Sequence, residues 1–157
     1  MNMKIIGAIM GIGLLAGCAS TNTGATAGTG GAAVSSGPVP GSQEDLVANV
    51  GDRVFFAFNQ NTLSTDAQGT LERQSAWLGK YPQVSVQVAG NTDDRGTEEY
   101  NLALGQRRAN SARDFLVAKG VSSARISTIS YGKDRPTATG DDESAWAQNR
   151  NAITSVK

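Results

Sequence analysis

The sequence predicts a small α/β (α+β) domain: a βαβαβ-type mixed sheet of about four strands, with two main helices packed on one face. Three observations predict it. Val84, Val86 and Val88 alternate with Ser85, Gln87 and Ala89, the period-2 pattern of a half-buried strand. Two long stretches of helical periodicity flank that strand. Further short alternating runs lie at Arg53–Asn59, Ile126–Tyr131 and Asn151–Val156, so strands and helices take turns along the chain.

The elements follow in order. Met1–Lys4 carries one positive charge and Ile5–Ala16 is apolar apart from glycines. Twelve such residues are too few to cross a ~30 Å hydrocarbon core as a helix. They fit a secretory signal segment, residues 1–17. Leu14-Leu-Ala-Gly-Cys18 resembles a bacterial lipobox, with Cys18, the sole cysteine, as the lipidated residue. An ordinary cleaved signal with an incidental cysteine is the alternative. Residues 18–41 are mostly Gly, Ala, Ser and Thr, with two prolines and no charge. Such a segment cannot bury enough apolar surface to offset its ordering entropy, so a disordered tether is expected. As a coil it would span ~25–30 Å, and fully stretched ~80 Å.

The folded domain is expected over 42–157. Ser42–Val50 opens it as a short helix, with Ser42 as cap and Asp45 three residues on. Arg53–Asn59 is the first strand. Ser64-Thr65-Asp66 begins a helix to about Lys80, with Ala67, Leu71 and Leu78 on its core face and Trp77 at the edge. Tyr81-Pro82 stops it, because proline disfavours helical geometry in the preceding residue. After the Val84 strand, Gly90–Gly96 is a polar turn. Thr97 caps the next helix, with Glu98 and Glu99 in its first turn, where the helix dipole favours negative charge. That helix runs to about Lys119, and Gly120 fits a C-terminal cap. A strand at Ile126–Tyr131, a loop over Gly132–Asp142, a short helix containing Trp146, and a last strand at Asn151–Val156 complete the chain.

Leu104, Ala112 and Phe115 share one face of the Thr97 helix, and Arg108 and Asn101 lie on that face too. An arginine on a core-facing stripe is costly unless a carboxylate or ligand satisfies it. Asp93 and Asp94, in the preceding turn, are the nearest acids. Two readings follow. An Asp–Arg pair staples turn to helix, or the two charges stay apart and hold the opposite ends of a zwitterion.

Gly90–Ala109, G-N-T-D-D-R-G-T-E-E-Y-N-L-A-L-G-Q-R-R-A, resembles the OmpA-like peptidoglycan-binding domain family. The similarity extends from about Asp45 to Ala152 and takes in Y-G-K-D-R-P and A-W-A-Q-N-R. The resemblance implies non-covalent binding of meso-diaminopimelate in peptidoglycan stem peptides. It assigns the two charged ends to Asp93 and Arg108, and adds Asn101, Asn149 and Arg150. Phe58 and Asn59 are weaker candidates, beside the first strand. Where many members carry aspartate this chain has Ala57 or Asn59, and Asn151 stands where a second arginine is usual. The lipid-anchored members imply an outer-membrane anchor with the domain facing the periplasm. They also imply the Tol system's periplasmic propeller protein as partner, and a role in envelope integrity and cell division.

Composition bears on rival functions. Lys and Arg match Asp and Glu at 14 each, and no long basic run exists, so nucleic acid is not an expected partner. Histidine is absent, which removes the commonest general base and metal ligand. No cofactor is implied. A wall hydrolase would need two carboxylates ~5–10 Å apart, such as Asp93 with Glu98 or Glu99. A structural metal site in D-D-R-G-T-E-E would lack EF-hand spacing and would have Arg95 inside the run.

Overall fold

The computed structural model describes residues 37–157. The signal segment, Cys18 and most of the expected tether lie outside the described residues. Four strands, β1 (Arg53–Phe55), β2 (Val86–Asn91), β3 (Ile126–Gly132) and β4 (Asn151–Val156), form one sheet in the order β1-β4-β2-β3. β4 is antiparallel to both β1 and β2, while β2 and β3 are parallel. The expected mixed α/β architecture is therefore the one observed.

This topology positions everything that follows. Because β1, β2 and β3 run one way and β4 the other, three strand ends and the start of β4 share one edge of the sheet. The loops 56–63, 92–97 and 133–142 all emerge there. Val54, Val86, Val88 and Ala152 point to the face covered by α2 (Thr65–Lys80) and α3 (Glu98–Ala118). Leu46, Leu71, Leu78 and Leu116 complete a core in which each is fully buried. The buried amide of Gln74 is satisfied by Thr154 and by the carbonyl of Gly51, so this core holds a polar pair without leaving a donor stranded.

The expected caps Ser42 and Thr97 accept from the third residue on, and Ser64 and Asp142 do the same at the starts of α2 and α4 (Glu143–Asn149). Three details differ from expectation. β1 stops at Phe55, because Phe56 turns inward and residues 57–60 leave the sheet, with Asn59 at φ 56°. The opening helix is α1 (Gln43–Asp45), continued by a wide π-type turn over Leu46–Val50. The ordered contacts also begin before residue 42, since the Gly41 N–H donates to the Asp45 carboxylate and Ser42 N–H to the Val39 carbonyl.

Gly90 on β2 meets Gly105 on α3. A Cβ on Gly90 would stand 1.8 Å from the Gly105 carbonyl oxygen, so only two glycines allow the helix this close to the strand. That approach brings Arg108, one turn further on, down beside the end of β2.

Candidate functional site

A cavity of about 230 Å³ opens at the shared strand edge, lined by Phe58, Asn59, Asp93, Arg95, Gly96, Tyr100, Asn101, Leu104 and Arg108. Five of the sequence-predicted residues meet there: Asp93, Arg108, Asn101, Phe58 and Asn59. Three segments supply them: the loop after β1, the turn after β2 and the first half of α3.

Arg108 is fully buried. Its Nε donates to the Gln60 carbonyl at 2.8 Å, one Nη to the Asn91 carbonyl at 2.8 Å and the other to the Ala57 carbonyl at 3.2 Å. A guanidinium has five N–H donors. Among the described residues, three are used, and one on each terminal nitrogen remains. No carboxylate of the described residues lies within 4.0 Å of it. Burial pushes Arg108 down to about 10, partly offset by Asp93, so it stays charged at neutral pH. The backbone, not the side chain, of Ala57 supports Arg108, so the absent aspartate at this wall leaves the guanidinium held.

Asp93 is also buried, and it does not pair with Arg108. Its Oδ2 accepts from Arg95 at 2.6 Å and lies 3.4 Å from an Arg150 Nη. Its Oδ1 accepts nothing among the described residues. Acid and base are each oriented by other groups, and each keeps unused hydrogen-bonding capacity. Asn101, buried on the wall of the cavity, donates its amide to the Arg95 carbonyl and fixes the turn against α3. Tyr100 donates its phenol hydrogen to Asn59 Oδ1, tying the 57–60 loop to α3 at the mouth.

Two predicted residues stand outside the cavity lining. Asn149 accepts from the N–H groups of Thr137 and Ala138 and donates to the Ala138 carbonyl, so it pins the loop before α4. Arg150 is buried behind Asp93, donating to the Phe56 carbonyl and to Glu143 at 2.6 Å. It acts on the cavity through Asp93. Asn151 is buried, bonded to Asn91, Thr137 and Gln148.

Arg95, Tyr100 and Leu104 line the cavity without having been named as site residues. Tyr100 and Leu104 are four apart on the helix, and Arg95 stands two residues beyond Asp93. The helical spacing puts Tyr100 and Leu104 on one face, whereas Arg95 reaches Asp93 through the turn. Arg95 also puts a fixed cation on Asp93, where a metal reading of this run would need its ligand free, and Glu98 and Glu99 are exposed to solvent.

The OmpA family model matches residues 55–150. The chain belongs to the OmpA family. A peptidoglycan-associated lipoprotein of Mesorhizobium japonicum is 52% identical over 142 residues, spanning 90% of this chain and 84% of that protein. One from Haemophilus influenzae is 39% identical, spanning 90% of each. The crystal structure of the peptidoglycan-associated lipoprotein from Burkholderia pseudomallei superposes with a TM-score of 0.66 at 42% identity, over 68% of this chain and 90% of that one. The C-terminal domain of Helicobacter pylori MotB follows at 0.63 and 25%, over 68% and 84%. These relatives make the chain part of a peptidoglycan-associated, structural family rather than an enzymatic one, which sets the hydrolase reading aside. Among the described residues no helix is long and apolar enough to cross a membrane.

Proposed function

We propose that the domain binds peptidoglycan non-covalently by taking the free end of meso-diaminopimelate from a stem peptide. The ammonium sits on Asp93 Oδ1 and the carboxylate on the two spare N–H groups of Arg108. The observation that carries this reading is Arg108 itself. A fully buried cation with neutral carbonyl partners and two unused donors beside a cavity wants a carboxylate. A stem peptide with lysine in that position offers the ammonium without the carboxylate, and leaves Arg108 unsatisfied at a cost of ~1–3 kcal/mol.

The rest of the reading concerns the whole chain. Cys18 carries the lipid that fixes the protein to the outer membrane, the segment that follows it forms the leash up to the first ordered contacts at Val39 and Gly41, and the domain holds the wall from the periplasm. Multiple acyl chains make such an anchor durable, at ~0.8 kcal/mol per buried methylene. Attachment to a polymeric wall raises the effective affinity of a modest single site. The Tol system's propeller protein is the proposed protein partner, with envelope integrity and division as the process served.

Sedimentation with purified sacculi tests the site. The full chain in detergent co-sediments, and Asp93→Ala and Arg108→Ala, checked for folding by circular dichroism, stay in the supernatant. Equal retention of both variants overturns the assignment. For the anchor, Cys18→Ala leaves the membrane fraction; its persistence there refutes lipidation.

A further inference from the structure

Arg95 is held in an unusual way. Its guanidinium carbon lies 4.2 Å from the ring centre of Phe58 and 4.1 Å from that of Trp146. The cation is thus flanked by two aromatic rings from different parts of the chain, the loop after β1 and helix α4. Its edge donates to Asp93 Oδ2 at 2.6 Å and reaches Glu143 at 3.8 Å. Phe58 is largely exposed and lines the cavity, whereas Trp146 does not line it.

We infer that Arg95 and Trp146 are positioning residues for ligand binding, acting as a brace that sets the orientation of the Asp93 carboxylate. The inference rests on the diaminopimelate reading of the cavity. Both hydrogen bonds to Asp93 fall on Oδ2, so the placement of Arg95 decides where Oδ1 points. Asn101 holds the Arg95 backbone through its carbonyl, and the two rings constrain the side chain. A planar, delocalised guanidinium can lie between two rings and still present an edge to a carboxylate; an ammonium cannot do both. Glu143, on the same helix as Trp146, bonds Arg150 and approaches Arg95, so α4 bears on both cations that grip Asp93.

The test is calorimetric titration of the full chain in detergent with a soluble disaccharide-tripeptide containing meso-diaminopimelate. Thermal unfolding of each variant is measured in parallel. Trp146→Leu weakens binding about tenfold, the equivalent of one partly buried cation–π contact. Trp146→Phe, which keeps a ring against Arg95, stays within about threefold of wild type. Arg95→Lys keeps the charge, loses the stack, and falls with Trp146→Leu. It is the deciding variant should Trp146→Leu unfold. Binding at the wild-type level in Arg95→Lys and in folded Trp146→Leu, with Arg108→Met inactive, overturns the brace and leaves the cavity assignment standing. Wild-type binding by Arg108→Met as well overturns the cavity assignment itself.

Discussion

Each end of this domain contains a buried acid and an arginine bonded to three backbone carbonyls, and the two ends use them differently. At the end where the chain enters, Asp45 accepts from the Gly41 N–H, the Asn49 amide and the Trp77 Nε1–H. Nearby, Arg125 donates to the carbonyls of Val84, Leu78 and Tyr81, with Nη2 bonding two of them. Both of its partners Leu78 and Tyr81 lie at the C-terminal end of α2, where the helix dipole welcomes a cation. At the other end, Asp93 and Arg108 border a cavity with an oxygen and two N–H groups still unused. Helix α2, 16 residues and about 24 Å long, runs from one end to the other. Three carbonyl partners therefore do not mark a binding site; Arg125 has them too. Arg125 also keeps two N–H groups, both on Nη1, but it is only half-buried, so water takes them. What marks a binding site is spare capacity on a fully buried charge beside a cavity, where a ligand rather than bulk water fills it.

The most severe test exchanges the two arginines. Arg108→Met loses the charge-assisted pair with the ligand carboxylate and weakens binding about 100-fold by calorimetry. Its stability moves less than its affinity. The carbonyls of Ala57, Gln60 and Asn91 lose their donor, but the cost of burying a cation disappears with it. Arg125→Met leaves affinity unchanged and lowers the melting temperature. Loss of binding in Arg125→Met would erase the distinction between the two ends.

The acids follow with a smaller effect. Asp93→Asn weakens binding about tenfold, since the amide cannot pair with an ammonium as a carboxylate does. Asp45→Asn binds normally but unfolds at lower temperature. Its three donors hold the Asp45 carboxyl down to about 2, the Gly41 N–H contributing most, against an ordinary 3.8. An acid with a lowered folded pKa stabilises the fold above its unfolded pKa, and that contribution fades as pH falls toward the folded value. Urea titrations between pH 4 and pH 2 therefore show wild-type stability falling more steeply than that of Asp45→Asn, in which the lowered pKa of Glu44 still contributes. Parallel slopes in the two proteins would show that the Asp45 clasp is not coupled to folding.

Much of this was legible in residues alone. The caps Ser42 and Thr97, the start of α2 at Ser64-Thr65 and the β4 range were read correctly, because short side chains at helix starts and period-2 alternation are local signals. The anomaly of Arg108 on an apolar stripe was also visible. Its partners were not, since all three are backbone carbonyls, which every sequence offers equally. Asn149 and Arg150 were named only through the family resemblance. Their work, pinning Thr137 and Ala138 and gripping Asp93, depends on which loops the sheet brings to its edge. Arg95 was hidden for the same reason. Its two rings stand 37 residues before it and 51 after it in sequence, with no periodicity to connect them.

The mildest variants probe single hydrogen bonds at each end. Tyr100→Phe removes the bond to Asn59 while keeping the ring that lines the cavity. Tyr100 is exposed, so water replaces the lost partner at little cost. The loop 57–60 remains anchored by its carbonyls on Arg108, and binding drops by about threefold at most. Trp77→Phe removes one of three donors to Asp45 in a buried setting, where no water is at hand. It lowers the melting temperature more than Tyr100→Phe does and leaves affinity alone. If instead Tyr100→Phe weakens binding as much as Asp93→Asn, the phenol is bonding the ligand, and the polar part of the site extends to its rim.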